Sequence, residues 1–195
     1  MDIDLKKIRT RLRSYERKFK KDPEDRDGGG TRFLMGPYYL CLDDLDGAVD
    51  HYEWFWSVFS DSIDEPFHAL GRVITELRQG HEQNASDLLK RVYSANPYLL
   101  PFLLYMDIDA MNVKGYSSWE EKPYILAAPE ELYSYMSEEE RAWIRRIWDS
   151  QEFSDWMKTY NNLQDCLKTE PVGRKRSELV DLRYKLIQES MGSDT

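Results

Sequence analysis

Two glycines inside helical stretches constrain this chain more than any other feature of it. Gly36 and Gly71 lie 35 residues apart (71 − 36), each in the first helix of one of two tandem helix pairs that fill the stretch from Arg32 to Leu104. A Gly in a helix interior costs about 1 kcal/mol relative to Ala, so its recurrence at a fixed period points to a packing requirement. Without a Cβ, the helix lets a second backbone approach closely. Each second helix supplies a small residue as well, Ala48 and Ala85, which follow their glycines by 12 and 14 residues (48 − 36 and 85 − 71). The two extra residues fall near Gly80 and lengthen that turn. Self-similarity of this kind predicts repeated antiparallel hairpins.

The positions resemble a tetratricopeptide repeat, whose period is about 34 residues. In the first copy Met35, Gly36, Tyr39, Ala48 and Tyr52 stand at its Leu, Gly, Tyr, Ala and aromatic positions, and Arg32 is off-pattern where the repeat carries an aromatic. The second copy has Phe67, Leu70, Gly71 and Ile74, then Ala85 and Leu89, and closes on Pro97. More specifically, the segments DPEDRDGGGTRFLMGPYYLCLDDLDGAVDHYEWF and HALGRVITELRQGHEQNASDLLKRVYSANPYLLPFLL resemble the diverged tetratricopeptide-like proteins of the suppressor-of-tumorigenicity type and their bacterial relatives. Gly30 and Arg32 open the first repeat helix in that pattern, and Asn96-Pro97-Tyr98 with Pro101 closes the second. Tyr124, Glu130 to Tyr135, Glu138 to Glu140, Trp143, Trp148 and Trp156 look like its Tyr-rich turn, Glu-rich helix start and terminal Trp residues, so the resemblance spans residues 22 to 157. Some bacterial members carry a Cys-rich metal-binding tail; nothing of that kind is present here, and zinc is not implied.

The resulting expectation is an all-α fold, a compact right-handed solenoid of antiparallel helix hairpins with eight or nine helices. One domain would cover 1–195, with a basic N-terminal helix at 1–21, two repeat-like pairs and a buried helix at 31–110, and Trp-rich capping helices at 129–192. Two repeats alone bury too little, since about three are needed, so the flanking helices are the expected caps.

Charge is segregated along the chain. The net charge is −9, yet residues 1–21 hold nine basic and three acidic side chains, a local +6 that leaves −15 for the rest. The acidic body argues against general nucleic-acid binding, which rests on Lys and Arg. Within the first helix Leu5, Ile8, Leu12, Tyr15 and Phe19 form one apolar stripe, expected to dock on a neighbour while the charges face solvent or the acidic body; the alternative is a basic amphipathic helix for an anionic surface or nucleic acid. No apolar run of about 18 residues exists and the charged N-terminus lacks the core of a secretory signal, so a cytoplasmic protein without a membrane span is expected. Cys41 and Cys166 read as reduced, partly buried thiols.

Several motifs can be tested and set aside. Gly28-Gly29-Gly30 precedes a helix but lacks the Gly-Lys-Ser/Thr ending of a phosphate loop. Asp44, Asp46 and Glu53 fit three positions of a calcium loop around Gly47, but Leu42 occupies the first, so the acids read as a helix cap. Ser137-Glu138-Glu139-Glu140 has the form of a capping box, and Trp143, Trp148, Phe153, Trp156 and Tyr160 continue as an aromatic stripe of core type. Met111 to Ala128 is the longest irregular stretch, a candidate functional loop with Tyr116, Trp119 and Tyr124. In the tail, Leu179, Leu182, Leu186 and Met191 lie on one side of a final helix that would close the solenoid or meet a partner.

Catalytic signals are thin. His51, His68 and His81 fall on different predicted helices or turns, no Gly-x-Ser-x-Gly or His-Glu-x-x-His pattern occurs, and a Cys41 and His51 pairing rests on proximity in sequence alone. No enzyme activity and no cofactor is expected. The resemblance instead implies an adaptor that holds a protein or peptide segment in its groove, with Arg32, Tyr39, Arg72, Glu76, Arg78, Tyr116 and Trp119 as candidate partner-binding residues. The acidic composition leaves a second expectation, an immunity protein or antitoxin that covers the basic site of a toxin or nuclease.

Overall fold

A computed structural model describes residues 3–25, 28–59, 65–111, 113 and 117–189. Among these residues the chain is all-α, with no strand. Its helices are α1 Leu5–Lys21, α2 Thr31–Cys41, α3 Leu45–Val58, α4 Pro66–Arg78, α5 Glu82–Ala95, α6 Leu99–Leu103, α7 Lys122–Leu126, α8 Glu138–Trp148, α9 Gln151–Thr169 and α10 Arg174–Glu189, with 3-10 turns at Ser118–Glu120 and Glu130–Leu132. Eight of the ten are long; α6 and α7 have five residues each.

Five of the ten starts follow from side-chain caps that satisfy the first orphan N–H groups. Asp4 accepts from Lys7 N, Asp44 from Gly47 N, Glu65 from His68 N and Ser150 from Phe153 N. The acidic turn before α3 is thus a cap, as its residues imply. At α8 the capping box is complete, with Ser137 and Glu140 bonding reciprocally. Pro66 opens α4 at the one place where a missing N–H is harmless. Pro37, by contrast, sits inside α2.

Turns of three residues each fold α2 against α3 and α4 against α5, so the two extra residues expected near Gly80 lengthen α4 and not the turn, and α2 also lies along α4. The same tyrosine explains both glycines. A Cβ on Gly36 would stand 2.3 Å from the Tyr52 hydroxyl and one on Gly71 would stand 2.2 Å from it. Tyr52, on α3, is thereby wedged between α2 and α4, and its hydroxyl donates to the His68 carbonyl at 3.0 Å. The period of 35 residues places two gaps, one on each first helix, around a single side chain.

Around this wedge the main core gathers Ile8 and Leu12 of α1, Leu70, Val73 and Ile74 of α4, Ala85, Leu89 and Val92 of α5, Leu99, Leu100 and Leu103 of α6, and Ile144 and Phe153 beyond. The α1 stripe docks with Ile8, Leu12 and Phe19 buried, but Leu5, expected in the same stripe, is exposed in the first turn. The Trp-rich helices also belong to the core: Trp156 stacks on Tyr160 at 5.3 Å, and Tyr93 of α5 meets both rings.

Three expectations change. Met111 to Ala128 is not wholly irregular, because it holds the 3-10 turn at Ser118–Glu120 and α7. Leu182 does not lie on the docked side of α10: it is exposed with Val180 and Tyr184, while Leu186 and Ile187 pack inward and Arg183 Nη1 donates to Gln164 Oε1 at 3.1 Å. Met191 lies outside the described residues. Cys166 is exposed, and only Cys41 is partly buried.

The wedge makes a discriminating prediction. Gly71→Ala should lose about 1–3 kcal/mol in chemical denaturation despite Ala's better helix propensity. In a Tyr52→Phe background the same change should cost almost nothing, because the next atom, Pro37 Cδ, is 3.5 Å away. Gly36→Ala should stay costly in that background, since the ring carbons Cζ and Cε2 remain at 2.5 and 3.0 Å. Equal rescue at both sites would contradict the geometry.

Candidate functional site

The groove between α3 and α4 is the strongest candidate. Val49, Tyr52, Glu53 and Trp56 of α3 face Arg72, Thr75, Glu76 and Gln79 across a cavity of about 230 Å³, with His81 at one end. Trp56 of the lining also packs, with Trp54 and Trp119, on a second buried cluster formed by Phe33, Phe55 and Phe59. Guanidinium groups crowd the same place. Arg72 lies 5.0 Å and Arg91 4.7 Å from the Trp56 ring centre, and Arg32 lies 4.3 Å from Phe33 and 5.5 Å from Phe59. The indole N–H of Trp56 is buried with no acceptor among the described residues.

A second cavity, about 250 Å³ between α5, α8 and α9, differs in its chemistry. There the charges already satisfy each other: Lys90 bonds Asp87 and Glu152 at 3.1 and 3.0 Å, and Arg146 meets Glu82 at 3.1 Å. In the α3–α4 groove Glu53 is exposed and has no ion-pair partner among the described residues.

Beneath the groove the fold brings together two histidines that the sequence leaves apart. His51 of α3 and His68 of α4 meet through their Nε2 atoms at 3.2 Å, so one donates and the other accepts. Both are buried, and neither Nδ1 has a partner among the described residues. Burial pushes His51 down to about 3. His68 lies well below 6.5, first through burial, then through His51 and the guanidiniums of Arg72, Arg32 and Arg91. Both rings are therefore neutral near pH 7. Glu65 braces this end of α4, accepting from His68 N at 2.8 Å and from the Tyr124 hydroxyl at 2.7 Å.

The expected partner-binding residues divide. Arg32, Arg72, Glu76 and Trp119 gather at or beside the groove; Glu76 also bonds His81 Nδ1 at 3.0 Å, and Trp119 meets Phe33 edge-on at 5.6 Å. Tyr39 is elsewhere, donating its hydroxyl to Glu16 of α1 at 2.9 Å. Arg78 is used inside the fold, bonded to Glu140 Oε1 and to the Tyr135 carbonyl, each at 2.7 Å, where it ties α4 to α8. Tyr116 lies outside the described residues. Trp56, Arg91 and Glu53 were missed; the dense run Tyr52-Glu53-Trp54-Phe55-Trp56 was the available signal. Asn96, read only as a turn residue, anchors the Trp119 loop by donating to the Trp119 and Glu121 carbonyls.

Cys41 does not meet His51. Its Sγ donates to the Glu131 carbonyl at 2.7 Å, and burial, the largest influence, pushes the thiol up to about 11. Among the described residues no group of three or more His, Cys, Asp and Glu is placed to hold a metal ion, and no helix is long and apolar enough to cross a membrane. Comparison of the chain with protein-family models, curated proteins and solved structures finds no match.

The buried histidines set a pH dependence. Their folded values lie below the unfolded value of 6.5, so the unfolded chain takes up protons first as the pH falls. Stability is full above about 6.5 and declines towards 3, by up to about 1.4 kcal/mol per pH unit for each ring. Urea titrations between pH 7.5 and 5, a window above most carboxylate titration, should show this loss. A His51→Gln/His68→Gln variant should be flatter, and a flat wild-type profile would contradict neutral buried rings.

Proposed function

We propose that this protein is a non-enzymatic interaction module of tetratricopeptide-like type, whose α3–α4 groove holds a segment of a protein partner. The observation that carries this is the composition of the groove: a half-buried Trp56 beside Arg72, with the unpartnered carboxylate of Glu53 on the opposite rim. Trp and Arg are the residues on which binding energy concentrates, because they combine large apolar area with directional polar contacts. A peptide with an apolar side chain over Trp56 and a basic residue towards Glu53 would match the groove. Within the groove the Thr75 hydroxyl is engaged with the Gly71 carbonyl at 2.9 Å.

Peptides selected from a random library against the full chain test it. The selected sequences should combine apolar and basic residues and bind with dissociation constants on the order of micromolar. Glu53→Lys, an exposed change expected to alter stability by no more than about 0.5 kcal/mol, should weaken them about tenfold or more. Binders indifferent both to Glu53→Lys and to Trp56→Ala would overturn the reading.

A second reading rests on a separate feature. Asp46, Asp50 and Glu53 form an exposed row along α3 with no ion-pair partners among the described residues, which suits the basic surface of a toxin or nuclease. In that case association with the partner should slow steeply with salt, through the on-rate.

A further inference from the structure

We propose that the outward face of α1 binds the phosphate backbone of double-stranded nucleic acid, without reading sequence. The helix has 17 residues, and its inward face is closed: Ile8, Leu12 and Phe19 are buried, and Tyr15 stacks on Tyr38 at 6.2 Å. Its outward face is cationic throughout. Lys6, Arg9, Arg13, Arg17 and Lys20 succeed one another at steps of three or four residues, a single row about 21 Å long, flanked by Lys7 and Lys21. All seven are exposed, and none of their side chains has a hydrogen-bond or ion-pair partner among the described residues.

Four acidic groups near the helix are already engaged, while Asp22 and Glu24 stand exposed past its C-terminal end. Glu16 accepts from the Tyr39 hydroxyl, Asp4 caps the helix, Asp25 meets Lys18 at 3.1 Å and Glu131 meets Arg11 at 3.5 Å. Segregating so many cations costs repulsion that solvent only screens, in a chain whose net charge is −9. Beyond about 8 Å at physiological salt the acidic body is screened from whatever docks there.

The chemistry of the face selects among polyanions. Apart from Leu5, the apolar side of α1 is turned into the fold, so the helix cannot lie in a membrane interface with its apolar face in lipid. The row carries no aromatic or aliphatic anchor of the sort that concentrates energy at a protein interface, and no stacking platform for single strands. Duplex phosphates need neither, because cations that displace condensed counterions supply the affinity alone. With about one phosphate charge per 1.7 Å of duplex, a row of this length meets more charge than it carries. Base readout is absent from the face, so binding would be independent of sequence.

Fluorescence anisotropy of the full chain with a labelled mixed-sequence DNA duplex, between about 50 and about 200 mM salt, tests this. Binding should appear at the lower salt, and log K should fall against log salt with a slope of about −0.9 for each phosphate neutralised. Arg9→Gln/Arg13→Gln/Arg17→Gln should weaken binding by on the order of tenfold or more and make the slope shallower by about 2.7. Lys158→Gln on α9 should change neither. Lys6→Gln/Lys20→Gln serves as a second variant, and far-ultraviolet circular dichroism confirms that each remains folded. Absence of binding at low salt, or affinity unchanged in the triple variant, would overturn the proposal. So would phosphatidylserine vesicles or poly-glutamate binding through these arginines as tightly as the duplex.

Discussion

One hydroxyl group holds the centre of this molecule together. Tyr52 reaches from α3 into a slot that exists only because α2 and α4 each lack a Cβ at the point of contact, at Gly36 and Gly71. Its hydroxyl ends on the His68 carbonyl, so a polar atom in the middle of the helices is satisfied without water. The slot fixes how closely α3 can sit against both first helices. From that follow the meeting of His51 with His68, the aromatic cluster of Phe33 and Phe55, and the approach of Arg72 to Trp56. The groove is the outer edge of the same contact.

Much of this architecture was legible because it depends on local periodicity. The helix limits, the caps at Asp44 and Ser137, the inward stripe of α1 and the spacing of the two glycines are each set by residues close in sequence. What the sequence hid are contacts that depend on where distant chain returns. Arg78 looks like a groove residue on its helix until Glu140, 62 residues later, comes back to bond it. Tyr39 stands at a repeat position, yet its hydroxyl belongs to Glu16 on the preceding helix. The histidine pair spans 17 residues and a change of helix, and no pattern of spacing announces it. Leu182 failed for a subtler reason: Arg183 takes the inward position beside it through Gln164, which rotates the apolar side chain outward.

The distribution of charge has a structural logic of its own. The basic row of α1 and the acidic row of α3 face solvent from separate helices, with no ion pairs closing them among the described residues. Surface ion pairs are worth little, so the fold forfeits little stability by leaving these rows open. What it gains is two surfaces of opposite sign on one small body: a groove whose rim is acidic, and a helix whose outer face is cationic. Both are presented by helices that the Tyr52 contact helps to place.

Native-state hydrogen exchange at increasing denaturant tests the central claim most directly, namely that Tyr52 fastens the two hairpins into one cooperative unit. The core amides of α3 and α4 should merge onto a single opening free energy equal to that of global unfolding. If the α2–α3 hairpin instead opens at a distinctly lower free energy while α4 and α5 stay protected, the two hairpins are separate units and the wedge does not join them.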